Sequence, residues 1–333
     1  MISEKFDNEI TICTVCTNDE ILIQKNIEII SKLNKQIKIN WVIGINKKNI
    51  SEVNFKTYDT NIKYTKGVPS ELIGSIALNH SITLNLTKKY IDTRFVLFID
   101  PDFFLLKENI LEEIIKDMIA EKISFLGTPW YPKWHTKFRY FPCSHCLFVD
   151  TENISLDLFD FRPIKIFWDK EYYKYNLFID RKSLFKRIFF KMLSLNNFIN
   201  YNFVHRKNNA FDGDTCHRIY LNLRDSKYKF KIFNPGFNIK NDWLIPISWK
   251  LNNLIEFFLP EKYCFFPKRK KLIVFDTKFI NYLSSFSYEG FYWKNQPIGF
   301  HIRGHPKRMI KERNKEEELE NVNNIFKKFF DLN

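Results

Sequence analysis

Arg94-Phe-Val-Leu-Phe-Ile-Asp-Pro-Asp102, followed at once by Phe103-Phe-Leu-Leu106, decides how this chain is read. Phe95 to Ile99 is an unbroken run of apolar, β-favouring residues, the pattern of a strand covered on both faces. Pro101 ends it, having no N–H with which to continue a ladder. Asp100 and Asp102 stand at i and i+2, so both carboxylates can point to one side of an extended chain. Open α/β sheets bind ligands just beyond the carboxyl ends of their central strands. Two hard oxygen donors in that place suit Mn²⁺ or Mg²⁺ shared with a diphosphate. An arbitrary Asp-x-Asp is more often a pair of turn residues, one of them capping the next helix. It is the position at the end of a buried strand that gives this pair weight.

The flanking sequence supplies the rest of an α/β pattern. Ile10 to Thr17 is a strand rich in β-branched residues. Asn18-Asp19-Glu20 caps an amphipathic stretch from Ile21 to Leu33, and Ile37 to Ile45 is a second strand ending at Asn46. Ile62 to Tyr64 is a short third. A strand–helix–strand opening of this kind predicts a mainly parallel, Rossmann-like sheet with helices packed on it. Glu71 to Tyr90 and Glu108 to Ile119 read as helices, Ile123 to Leu126 and Phe141 to Val149 as strands. Gly127-Thr-Pro-Trp-Tyr-Pro132 reads as a loop and Asn234-Pro-Gly236 as a turn. Near the end, Leu319, Val322, Phe326 and Phe329 are spaced like a helix face. No repeat or Gly/Ser linker divides the chain. The expected organisation is one domain over 1–305, with a basic, aromatic insertion at about 161–207, and a helical tail over 306–333.

The net charge of +14 on 333 residues points to an anionic partner: a nucleoside diphosphate, a phospholipid surface or a nucleic acid. An AT-rich genome, with its lysine and phenylalanine codons, would account for part of that charge and for much of the 35 Phe. In the 161–207 stretch, Arg181 to Leu193 can form a helix with Leu184, Phe185, Ile188, Phe189, Met192 and Leu193 on one side. Lys182, Lys186, Arg187 and Lys191 fill the other, a pattern suited to an anionic membrane surface or to an ordinary core-facing helix with a solvated basic face. No charged region followed by an apolar run opens the chain, and no 18-residue apolar stretch occurs, so the cytoplasm is the expected compartment, with a peripheral membrane contact as an option. The six cysteines include the C-x-x-C pairs Cys13/Cys16 and Cys143/Cys146. Positions three apart on a strand face opposite ways, which favours buried thiols over a zinc site.

A second polar motif lies some two hundred residues beyond the aspartates. Phe300-His-Ile-Arg-Gly-His-Pro-Lys-Arg308 offers an imidazole at His301, a close-approach glycine at Gly304, and cations at Arg303 and Lys307. Asp212-Gly-Asp214 is a further carboxylate pair. His80, His135, His145, His205 and His217 have no comparable context and read as structural or exposed.

Together these motifs resemble the nucleotide-diphospho-sugar glycosyltransferases of the GT-A fold. Asp100-Pro-Asp102 looks like their D-x-D motif, and His301-Ile-Arg-Gly304-His-Pro-Lys307 is similar to the H-x-x-G-x-x-K element of the glycogenin and galactosyltransferase-like family eight. The stretch through Asp102 is equally similar to family-two-type transferases. Asp212-Gly-Asp214 resembles a D-Q-D motif with Gly213 in place of glutamine, and Arg308-Met309 follow Lys307 where family eight has Pro-Trp. The resemblance implies a hexosyltransferase-like enzyme using Mn²⁺ or Mg²⁺ and a nucleotide-diphosphate sugar donor, with a glycan or lipid-linked acceptor. It implies Asp100, Asp102 and His301 on the metal, Lys307 on the diphosphate, and Asp212 or Asp214 beside the reacting sugar; Arg303 is a second cation for the diphosphate. Thr17, Asn18, Asp19 and Asn46 stand where base and ribose would sit, with Asn79 as a further contact. Paired carboxylates and a basic surface also serve a metal-dependent phosphotransferase or nuclease. A nucleic-acid binder stacking bases on the 161–207 aromatics is the other alternative, although no recognisable nucleic-acid-binding motif supports it.

Overall fold

The computed structural model describes residues 8–47, 53–68, 76–129, 141–163, 215–241, 273–302 and 314–330. Its strands are β1 (Glu9–Cys16), β2 (Lys38–Ile45), β3 (Asn61–Lys66), β4 (Phe95–Ile99), β5 (Phe103–Leu105), β6 (Phe125–Pro129), β7 (Pro142–Asp150), β8 (Phe230–Ile232), β9 (Asn234–Phe237), β10 (Val274–Phe275), β11 (Glu289–Trp293) and β12 (Gln296–His301). Its helices are α1 (Glu20–Leu33), α2 (Ile76–Thr87), α3 (Ile110–Glu121), α4 (His217–Leu223), α5 (Lys278–Ser284) and α6 (Lys315–Phe329).

The expected α/β architecture is present. A seven-stranded sheet has the order β3-β2-β1-β4-β7-β6-β8. β3, β2, β1 and β4 run parallel, β7 runs against them, and β6 and β8 return to the common direction. From β1 the chain first builds outward through β2 to β3, then returns to lay β4 on the opposite edge of β1. That reversal of strand order opens a crevice beyond the carboxyl ends of β1 and β4, the usual ligand site of such sheets.

Alternation along the strands divides the core. Ile10, Ile12 and Cys16 of β1 pack with Ile23, Ile27 and Ile30 of α1 and with α3 on one face. Cys13 and Val15 pack with Leu84 of α2 and with Ile219, Tyr220 and Leu223 of α4 on the other. The C-x-x-C pairs are split in the same way, Cys143 facing α2 and Cys146 facing away. Burial pushes the Cys13 and Cys16 thiols up to about 12, so neither is poised to become a thiolate ligand. The start of β4 is clamped to the end of β7 by Arg94, whose Nε and a terminal nitrogen each donate at 3.0 Å to the buried Asp150 carboxylate.

After β4 the chain changes sheets. β5 is the edge of a second, five-stranded sheet of order β10-β9-β11-β12-β5. It pairs antiparallel with β12, placing Phe103 opposite His301 and Leu105 opposite Gly299. β11 and β12 form a two-residue hairpin at Lys294-Asn295, both at positive φ (49° and 63°), the geometry of a type I′ turn. A third core cluster joins this sheet to α1 and α6 through Leu22, Ile29, Phe104, Phe300, Val322 and Ile325. α6 begins at Asn314, whose side chain accepts from the Glu317 N–H, and has Glu316, Glu317 and Glu318 in its first turn, where the helix dipole favours them.

Two local expectations are corrected. Asn234-Pro-Gly236 is strand β9, not a turn. Gly236 is there for close packing, because a Cβ on it would lie 2.2 Å from Ile280 Cδ1. Gly127, Thr128 and Pro129 continue strand β6 instead of opening a loop, Gly127 fitting against the Cys146 carbonyl. Trp130 to Pro132, the stretch 164–214 with almost all of the basic insertion, Cys264, and the start of the helix expected from Glu71 lie outside the described residues. Among the described residues no helix is long and apolar enough to cross a membrane.

Gly299 is the tightest fit between β12 and β5, since a Cβ there would lie 2.0 Å from the Phe104 carbonyl oxygen. Gly299→Ala should therefore pry β5 from β12 and cost about 1–3 kcal/mol of stability, as overpacking usually does. A fall in the urea midpoint of that variant is the expected result.

Candidate metal centre

Asp100-Pro101-Asp102 is the link between the two sheets, and short hydrogen bonds fix it at each residue. The Asp100 N–H donates to the His145 carbonyl (3.0 Å), and the Phe103 N–H to the Asp100 carbonyl (3.1 Å). Asn26 Nδ2 of α1 donates to the Pro101 carbonyl at 2.9 Å, and the Ile302 N–H to the Asp102 carbonyl at 2.8 Å. The backbone of the motif is thus held by α1, β7 and the residue after β12.

His301 ends β12 directly beside this link. Its Nε2 lies 3.1 Å from Asp102 Oδ1 and 4.0 Å from Asp100 Oδ2. Its Nδ1 meets Glu289 Oε2 at 3.1 Å, across the antiparallel pair that sets Glu289 opposite His301. Glu289 is 1% exposed and His301 4%. Burial by itself pulls the His301 imidazolium pKa down. The charge and hydrogen bond of Asp102, with the hydrogen bond and charge of Glu289, outweigh it and hold the pKa at about 9. A carboxylate behind the distal nitrogen of a metal-binding histidine is the usual support for its orientation and basicity.

Two further histidines, expected to be structural or exposed, lie beside Asp100: His145 of β7 and His80 of α2. Ile99 pairs with Cys146, so the next residues, Asp100 and His145, oppose each other where β4 and β7 separate. Alternation puts both on the α2 side of the sheet. His145 Nε2 lies 3.9 Å from Asp100 Oδ2, its ring stacks on that of His301 with centroids 4.5 Å apart, and its Nδ1 meets Cys143 Sγ at 3.2 Å. His80 of α2 reaches the other oxygen, with Nε2 3.4 Å from Asp100 Oδ1. The clue available in sequence was a Ser-His pair inside the apolar run of β7, and likewise a glutamate inside β11, since buried polar groups need partners.

The donor set fits a divalent ion. Two ligands each ~2.1 Å from a shared ion lie roughly 3–4.2 Å from one another. The separations His301–Asp102 (3.1 Å), His145–Asp100 (3.9 Å) and His301–Asp100 (4.0 Å) fall in that range. Atoms of Asp100, His145 and His301 all lie within 4.8 Å of one another.

The nucleotide-side candidates occupy the same end of the sheet. Thr17, Asn18 and Asp19 follow β1, and Asn46 follows β2. Asn46 is nearly buried, donating to Thr17 Oγ1 at 3.4 Å and accepting from the Thr83 hydroxyl of α2. Asn18 is exposed, while the Asp19 carboxylate lies 3.9 Å from Lys315 Nζ. Asn79 is buried, yet among the described residues neither atom of its amide has a hydrogen-bond partner. Asp212, Asp214, Arg303, Gly304 and Lys307 lie outside the described residues, as do His135 and His205. The site as described therefore unites Asp100, Asp102 and His301, and adds His145, His80 and Glu289.

No protein-family model matches this chain, and no curated protein does. Among solved structures it is similar to galactosyltransferase LgtC in complex with donor and acceptor sugar analogs, at 11% identity over 94% of this chain and 95% of that one, with a TM-score of 0.40. It is also similar to mannosyltransferase PcManGT from Pyrobaculum calidifontis in complex with GDP-Man and Mn²⁺ (12% identity, 43% of this chain and 44% of that one, TM-score 0.33). Glucosyl-3-phosphoglycerate synthase from Mycobacterium tuberculosis is a third (13% identity, 47% of this chain, 60% of that one, TM-score 0.33). Of the last two proteins the chain thus spans less than two thirds. At TM-scores below 0.5 these likenesses decide nothing about the chain, whose function has to be read from its own site.

The elevated pKa of His301 has a direct consequence for the metal-free protein. Its folded value of about 9 lies above the ordinary 6.5, so the stabilisation is complete below about 6.5 and is lost as pH rises through about 9. In the presence of chelator, the thermal midpoint should fall across that interval. His301→Gln should remove this component of the fall.

Proposed function

We propose that the chain is a divalent-metal-dependent glycosyltransferase of GT-A type, moving a hexose from a nucleotide-diphosphate sugar to a glycan or lipid-linked acceptor. The observation that carries this is the meeting of Asp100 and Asp102, at the end of a central strand, with His301 from the other sheet. They meet beside the crevice where the strand order reverses. Asp100, Asp102 and His301 hold the ion, Mn²⁺ or Mg²⁺ by the resemblance, with Glu289 fixing the His301 ring. When bound, the ion supplies Lewis-acid stabilisation of the charge that builds on the β-phosphate as the glycosidic bond breaks.

The chain's own residues do the rest. Thr17, Asn18, Asp19 and Asn46 line the crevice edge where base and ribose bind. Asn46 is already oriented by Thr83, which lowers the cost of ordering it on binding. The orphan amide of Asn79 supports a polar contact to the donor, since a buried group left unpaired costs about 1–3 kcal/mol. Lys307 takes the diphosphate by its place in the H-x-x-G-x-x-K motif, with Arg303 as a second cation beside it. Asp212 or Asp214 either removes the acceptor hydroxyl proton or positions the donor sugar; the family-eight likeness tilts this toward retention of configuration. The basic, aromatic 161–207 stretch serves a lipid-linked acceptor at an anionic membrane surface on the cytoplasmic side. A bacterial surface glycan is the product class that analogy favours.

A phosphotransferase or nuclease is the second reading, and the donor set counts against it. Such sites gather several acidic ligands, whereas here two carboxylates face imidazoles and the nearby Glu289 engages His301 Nδ1.

Mn²⁺ together with UDP or GDP should raise the thermal midpoint more than either alone, and a nucleotide sugar should be slowly hydrolysed. Asp102→Asn should abolish Mn²⁺-dependent turnover while circular dichroism shows an intact fold; retained turnover would remove the metal role. His301→Ala should weaken nucleotide binding in Mn²⁺ and leave binding in chelator unchanged, as read by calorimetry.

A further inference from the structure

The D-x-D and H-x-x-G-x-x-K motifs account for three metal donors, and β7 brings a fourth that neither motif contains. We infer that His145 is a direct ligand of the same ion, making a centre of two imidazoles and two carboxylates that prefers Co²⁺ and Zn²⁺, then Mn²⁺, over Mg²⁺. The inference rests on the proposed metal site and adds to it a ligand and a selectivity.

Three observations support the assignment. His145 Nε2 is 3.9 Å from Asp100 Oδ2, too long for a hydrogen bond but right for two ligands of one ion. The ring stacks on that of His301, so both Nε2 atoms address the same carboxylate, one from each sheet. Both rings are held at Nδ1, His145 by Cys143 Sγ at 3.2 Å and His301 by Glu289 at 3.1 Å, and both turn Nε2 toward Asp100 Oδ2.

Asp100 is prepared for the same role. His80 lies against its Oδ1 at 3.4 Å, while Oδ2 faces His145 and His301. His80 is thereby a positioning residue that holds one oxygen and presents the other. Chemistry then sets the preference. Mg²⁺ demands oxygen ligands in near-ideal octahedral geometry and gives up water reluctantly, whereas imidazoles suit the later transition ions.

The test uses the full chain, stripped with chelator and titrated with Co²⁺, Mn²⁺ and Mg²⁺ by calorimetry, with the visible Co²⁺ bands as a second readout. Wild type should bind Co²⁺ most tightly and Mg²⁺ most weakly. His145→Gln should lower Co²⁺ affinity by at least the ~10–100-fold seen when metal-site support is lost, shift the Co²⁺ bands, and leave Mg²⁺ binding little changed. If His301→Gln loses Co²⁺ while His145→Gln keeps wild-type affinity and bands, the inference is overturned and the proposed function stands. If wild type binds none of these ions, both fall. Should His145→Gln fail to fold, pulsed electron paramagnetic resonance on Mn²⁺-loaded wild type decides by counting coordinated imidazole nitrogens. Two support the inference and one overturns it.

Discussion

Everything at the candidate site depends on a constraint of three residues: the chain must leave one sheet and enter another through Asp100-Pro101-Asp102. Pro101 cannot continue the β4 ladder, so pairing with β1 and β7 ends there. β5 then starts at Phe103 as a partner of β12. Because the link is so short, the side chains on it have little freedom, and both ends are tied by backbone hydrogen bonds to β7 and to the residue after β12. Carboxylates on a long loop would have to be ordered by the ligand they bind. Here strand pairing on both sides orders them beforehand, which is the condition for strong electrostatic stabilisation without reorganisation.

The register of the second sheet carries equal weight. β12 slipped by one residue against β5 would turn His301 to the opposite face. Two features oppose such a slip. Gly299 admits the Phe104 carbonyl where any side chain would collide, and the tight Lys294-Asn295 turn pins β12 to β11. The same pairing brings Glu289 opposite His301. Burying a glutamate is costly unless it is paired and hydrogen-bonded. Its partner is an imidazole that is itself nearly inaccessible, and that imidazole meets Asp102 with its other nitrogen. A row of acid, base and acid is thereby assembled from β11, β12 and the inter-sheet link. In the metal-free chain a proton on His301 offsets one of the two negative charges, and a bound cation can take the proton's place.

How much of this is legible in the residues follows from the range of the forces involved. β1, α1, β2 and β4 are readable because each declares itself by local pattern, continuous apolar runs for strands and helical spacing for α1. Asp100, Asp102 and His301 are readable because each sits in a compact motif. His145, His80 and Glu289 are not, since their significance arises only from pairing. Nothing within β7 states that it runs against β4, and only that reversal sets His145 opposite Asp100. The hairpin of β11 and β12 is hidden for a related reason, as Lys294-Asn295 lacks the glycine that usually marks a type I′ turn. Asn234-Pro-Gly236 misleads in the opposite sense, its glycine meeting a packing demand from Ile280.

The donors also come from distant parts of the chain: α2 and the β4–β5 link early, β7 in the middle, β12 near the end. No continuous fragment that stops before β11 holds His301 or Glu289, and none that begins after β7 holds His80 or His145. The centre therefore exists only when both sheets have formed and docked along β5. A ligand that binds there favours the docked state over every partly folded one, by mass action. The repulsion among Asp100, Asp102 and Glu289, which would otherwise weaken the seam between the sheets, is offset by the imidazoles set among them. A cation held in that seam would then tie the two sheets together as well as serve the chemistry.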